Sequence, residues 1–130
     1  MKILKTNSKN LNPAFLLTYF LVILLTLTFS SLSSAHTKLT ESIPAADAKL
    51  NESPRELVVV FGTDVQLMNL KLKMSNGQAI EFGFKPSSEA NKRFSFTLPR
   101  LEQGSYRVDW SILGADGHKM TGNFDFSLTP

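Results

Sequence analysis

Cysteine is absent from this chain of 130 residues, and histidine occurs only twice. The first absence excludes disulfides and every thiolate metal site. The second leaves His36 and His118 as the whole supply of imidazole. Helical spacing of apolar residues is almost missing beyond residue 36, as are internal repeats and low-complexity tracts. Excess charge is missing too, once its location is considered. Lys2, Lys5 and Lys9 are the only charged residues before position 36, and the remainder carries equal numbers of basic and acidic groups. A domain of zero formal charge, with its charges dispersed, argues against nucleic acid as a partner.

What is there begins with a targeting pattern. A basic start leads into the apolar run Ala14–Phe29, and small residues from Ser30 to Ala35 follow. Charge, hydrophobe and then small residues is the signal-peptide order. Ser33 and Ala35 suit cleavage before His36, giving residues 1–35 as signal peptide and residues 36–130 as one exported domain. Read instead as a retained anchor, the same segment would leave no free amine at His36. A small domain with no staple must rely on a well-packed apolar core.

From residue 36 onward, apolar residues recur at every second position, the period of a half-buried strand. The runs are Leu57–Phe61, Met68–Met74, Ile80–Phe84, Phe94–Leu98, Tyr106–Ile112 and Phe124–Leu128. A short strand near Thr37–Ser42, ended by Pro44, would bring the count to about seven. Asn76-Gly77 is a hairpin signal, and 85–91 and 99–104 read as connectors. Short strands at this spacing predict an all-β, seven-stranded immunoglobulin-like Greek-key sandwich or barrel. Met68 and Met74 fit the inward alternation of their strand. Trp110 is expected near the centre of the core.

The two histidines carry the chemistry. After cleavage, His36 would offer both an α-amine and an imidazole, a chelate no internal histidine can make. Asp116 and His118, two apart around Gly117, leave an extended segment on the same face. An amine, two imidazoles and a carboxylate make a sulfur-free set suited to tetragonal Cu(II), which stands above Zn(II) and Ni(II) in the Irving–Williams order. The competing reading of Asp116-Gly117-His118 is a solvated turn in which Asp116 caps its own backbone. Met120 lies two residues from His118, open to either role.

These residues resemble the CopC family of periplasmic copper-binding proteins. The likeness runs from His36-Thr37-Lys38-Leu39 and Ser42–Ala48 through Leu57–Phe61 before a polar turn. It continues with Leu98-Pro99, Gly104–Trp110, Ala115–Lys119 and Gly122–Ser127. The resemblance implies an immunoglobulin-type β-barrel or sandwich and one Cu(II) per mature chain, held by His36, Asp116 and His118. It implies a periplasmic carrier or buffer in copper homeostasis, not an enzyme, with a CopD-type inner-membrane copper-uptake protein as partner. Some members also hold Cu(I) in a methionine-rich loop with a further histidine. The matching stretch, Thr63–Gly77, has only Met68 and Met74, which argues against such a separate site. Two other readings stay open at this point. One is an oxidase or monooxygenase using an N-terminal histidine, and the other is an immunoglobulin-like interaction module without metal.

Overall fold

The computed structural model describes residues 12–27 and 38–130. The chain falls into two units, residues 1–35 and 36–130. In the first, helix α1 spans Pro13–Leu27. Asn12 caps it, its Oδ1 accepting from the Ala14 N–H at 3.4 Å, and Pro13 occupies the first helical position, where a missing N–H costs nothing. Phe15, Leu17, Tyr19 and Phe20 are all largely exposed, so the helix is apolar around its circumference with no polar stripe. No described helix is long and apolar enough to cross a membrane. The expected cleavage site at Ser33 to His36 lies outside the described residues.

The second unit is a seven-stranded sheet that curls into a half-barrel. Its strands are β1 (Leu39–Ile43), β2 (Lys49–Leu50), β3 (Glu56–Met74), β4 (Ala79–Ile80), β5 (Asn91–Thr97), β6 (Gly104–Leu113) and β7 (Lys119–Leu128). The hydrogen-bonded order is β1-β3-β6-β7-β2, with β4 and β5 also on β3. β3 organises the fold because it serves two sets of neighbours. Its first half pairs antiparallel with β1 and β5. Its second half pairs with β4 and β6. β6 and β7 form a regular hairpin from Gly104↔Leu128 to Leu113↔Lys119, and β2 closes the far edge parallel to β7.

Several local expectations change. The polar stretch after Phe61 is not a turn but continuous strand. Its backbone has partners as it stands: the Gly62 N–H donates to Lys38 O at 3.2 Å, Val65 faces Asn91 and Gln66 faces Leu113. The run Ile80–Phe84 is strand only at Ala79–Ile80. Gly83, with φ of 75°, interrupts the extension, yet Phe82 and Phe84 still pack edgewise on Phe96 at centroid distances of 5.7 and 5.6 Å. Met68 does not face inward. The register slips between Leu67 and Asn69, leaving Met68 as the extra residue of a bulge and 42% exposed while Leu67 is buried. A bulge of this kind shifts the side-chain alternation by one residue.

The core gathers Leu57, Val59, Phe61, Leu67, Leu72, Tyr106, Val108 and Ile112 with the inward residues of β7. Burying each large apolar side chain contributes roughly 1.5–3 kcal/mol, the source of stability available without cystine. Tyr106, rather than Trp110, is the largest fully buried side chain. Its ring stacks on Phe126 at 5.2 Å, and its hydroxyl donates to Glu102 O at 2.5 Å, tying the incoming connector to the start of β6. Trp110 is half-buried. It meets Phe61 edgewise at 5.3 Å and lies across Gly122, its ladder partner.

Candidate metal centre

The β6–β7 hairpin presents Asp116 and His118 at its tip. Gly114 N–H donates to His118 O at 2.9 Å, and Gly117 N–H donates to Gly114 O at 3.0 Å. Gly117 takes φ of 80°. A tight turn closed by a left-handed glycine is a standard three-residue hairpin loop, and a side chain at Gly117 would strain it. The loop is therefore set by local chemistry and fixed in place by the ten-pair ladder behind it.

Within that loop the aspartate and histidine meet. His118 N–H donates to Asp116 Oδ1 at 3.1 Å, and His118 Nδ1 lies 2.9 Å from Asp116 Oδ2. The capped turn is realised, with one Asp116 oxygen on the backbone N–H and the other beside the imidazole of His118. The backbone N–H of His118 is the main influence holding the Asp116 carboxyl below its ordinary range, opposed by desolvation and supplemented by the imidazole. An ionised carboxylate only accepts hydrogen bonds, so Nδ1 must donate. Neutral His118 then presents its lone pair at Nε2. The His118 side chain is 83% exposed, so that lone pair faces solvent. A carboxylate that fixes the tautomer of a histidine is the usual support for an imidazole ligand.

Two further residues complete the neighbourhood. A Cβ at Gly114 would sit 2.9 Å from Asp116 Oδ1 and 3.2 Å from Met120 Cε. The absent side chain makes room for both groups over one patch of backbone. Nothing in the alternation of apolar residues singles out Gly114; only its position before the turn hints at a tight approach. Met120 is half-buried against the core.

His36 lies outside the described residues, so two of the three expected ligands are brought together and the third is not described. Among the described residues no group of three or more histidine, cysteine, aspartate or glutamate side chains converges. Strand register nevertheless limits where the chain enters β1. Lys38 pairs with Gly62, while Leu113, immediately before the site loop, pairs with Gln66. Four residues of strand span about 13 Å, so β1 and the site loop both begin along one short stretch of β3.

Comparison with known proteins agrees with this architecture. Residues 39–129 match the CopC domain. The chain belongs to the CopC family. It is 30% identical over 116 residues to the protein YobA of Escherichia coli, covering 86% of this chain and 94% of YobA. It is 31% identical over 104 residues to copper resistance protein C of Escherichia coli, covering 72% and 82%. Among solved structures, CopC from Methylosinus trichosporium OB3b superposes with a TM-score of 0.63 at 26% identity, over 73% of this chain and 95% of that one. Membership in the CopC family carries a copper-related role, and the proteins of that family bind or carry copper rather than act as enzymes. The oxidase reading is thereby set aside, and a periplasmic setting is consistent with the family.

Proposed function

We propose that this protein is a Cu(II) carrier or buffer exported to the periplasm, with one ion per mature chain. Removal of residues 1–35 frees the α-amine of His36. That amine and the His36 imidazole act with His118 to hold the ion, and Asp116 joins them as a ligand by giving up its bond to His118 Nδ1. The observation that carries this reading is the Asp116–His118 pair, with its tautomer set and its free nitrogen turned to solvent. Register adds support. Lys38, just before β1, pairs with Gly62, four residues along β3 from the Gln66 that pairs with Leu113 at the site loop.

Copper is cargo here, which asks for tight binding and for release. An exposed, one-sided ligand set at a hairpin tip suits transfer better than an enclosed cage. The receiving partner in this proposal is a CopD-type inner-membrane uptake protein.

The test is a Cu(II) competition titration of residues 36–130 beside the same domain carrying one extra N-terminal glycine. One tight equivalent, lost or strongly weakened by the added residue, is the expected result. Equal affinity in the two proteins would remove the N-terminal chelate and leave Asp116 and His118 as a structural turn.

A further inference from the structure

We infer that the end of the domain opposite the Asp116–His118 loop is a docking groove for an acidic peptide segment of a partner protein, read by Arg55 and Arg100. The inference is independent of the ligand set proposed above. The connector from β2 to β3 and the connector from β5 to β6 meet there and, with Leu128 and Thr129, line a groove of about 720 Å³. Leu98 N–H donates to Arg55 O at 2.9 Å, and Leu101 N–H donates to Ser53 Oγ at 2.8 Å, so the two connectors are fastened to each other. Each arginine follows a proline, Pro54 or Pro99, whose ring fixes its own φ. The walls are thus built before anything binds, which lowers the cost of binding.

The two arginines have no charged partner within the domain. Among the described residues neither forms an ion pair, not even with Glu52, which lines the same groove. Arg107, by contrast, places its guanidinium on Asp125. Arg55 and Arg100 are both exposed, and a planar guanidinium matches a carboxylate through paired bonds. Leu98, Leu101 and Leu128 supply the apolar part of the lining. A free phosphate would use the charges and leave that apolar part against water. An anionic bilayer answers to net charge, and residues 36–130 carry equal numbers of basic and acidic groups. A segment alternating carboxylate and apolar side chains uses both features of the groove. The ladder from Gly104↔Leu128 to Leu113↔Lys119 spans roughly 30 Å, so a partner seated here leaves the hairpin tip uncovered.

The experiment follows backbone amide shifts of the isotope-labelled protein, purified as the cell leaves it, on titration with the end-blocked peptide Glu-Leu-Glu-Leu-Glu. Parallel titrations use Lys-Leu-Lys-Leu-Lys, inorganic phosphate and phosphatidylglycerol vesicles. The acidic peptide should shift amides within 51–55, 97–103 and 128–129 and leave those of 114–118 in place. Arg55→Gln and Arg100→Gln should each weaken it about fivefold, the scale of one exposed charge pair. Arg93→Gln, on β5, should change nothing, and amide spectra unaltered away from each substitution report that the fold persists. No binding, equal binding of the basic peptide, or wild-type affinity in both groove variants overturns the inference. Phosphate that produces the same shifts would make this a small-anion site, and vesicle binding lost in the groove variants would make it a lipid contact; either overturns the peptide reading. Cu(II) affinity should be the same with and without the peptide, so this result stands whichever way the copper titration falls.

Discussion

Gly122→Ala offers a test in which two physical effects have opposite signs. In a strand interior, replacing glycine by alanine ordinarily stabilises by roughly 0.5–1 kcal/mol, because the unfolded chain loses freedom. At Gly122 the added Cβ would lie 2.3 Å from Trp110 Cζ2, 2.6 Å from Cε2 and 3.0 Å from Cη2. Those are ring atoms with little room to retreat, since the indole is already set edgewise against Phe61 at 5.3 Å. Overpacking of this kind costs typically 1–3 kcal/mol, and the depth of the overlap places this case near the top of that range. A net loss of about 2 kcal/mol is expected after the backbone gain. For a domain of this size that lowers Tm by about 8–16 °C. The assay is thermal and urea unfolding followed by circular dichroism, with the fluorescence of the single tryptophan reporting the indole. In a Trp110→Phe background, the same glycine substitution should cost far less. A Gly122→Ala protein that melts at or above wild type would refute the packing argument, because it would mean that the indole does not rest on the β7 backbone.

Other outcomes follow from the same geometry. His118→Ala should lower Cu(II) affinity strongly and Asp116→Asn less, since the amide keeps shape but loses charge and can no longer only accept from Nδ1; competition titrations that leave both at wild-type affinity would remove the site. Tyr106→Phe loses the hydroxyl bond to Glu102 O and should cost about 0.5–1.5 kcal/mol, read by urea denaturation. Burial raises the Tyr106 phenol above its ordinary value, so its contribution is present below the unfolded pKa of 10.0 and is lost as pH rises through the folded one; the Phe variant should lack that alkaline decline. Asp125 behaves in the opposite sense. Its paired bonds from Arg107 at 2.8 and 3.1 Å hold its carboxyl below the usual range. That stabilisation is present above the unfolded value near 3.8 and is lost as pH falls through the folded one. Asp125→Asn should therefore flatten the acid limb of a stability–pH curve, modestly, because the pair is exposed.

The strands were legible from residues alone. Alternation at period two depends only on which side of a pleated strand meets water, so Tyr106, Val108 and Ile112 could be assigned to the core without knowing their neighbours. The turn at Asn76-Gly77 and the loop at Gly117 were legible for the same local reason: glycine tolerates the left-handed backbone that each requires. Met68 was not legible. Its exposure results from a bulge, and a bulge exists only by reference to the partner strand. Trp110 misled in a similar way, because its neighbour Gly122 lies across a ladder rather than along the chain.

The sequence by itself determined the all-β class, the absence of sulfur ligands of the thiolate kind and the restriction of imidazole to His36 and His118. Those follow from composition and from interactions between residues close along the chain. Only the tertiary structure decided that Asp116 spends one oxygen on the backbone and the other on Nδ1 of His118. It alone brought Met120 over Gly114, and set the start of β1 beside the segment of β3 that supports the site loop. Such proximities depend on strand register summed over many pairs, and register is a property of the assembled sheet rather than of any one stretch of residues.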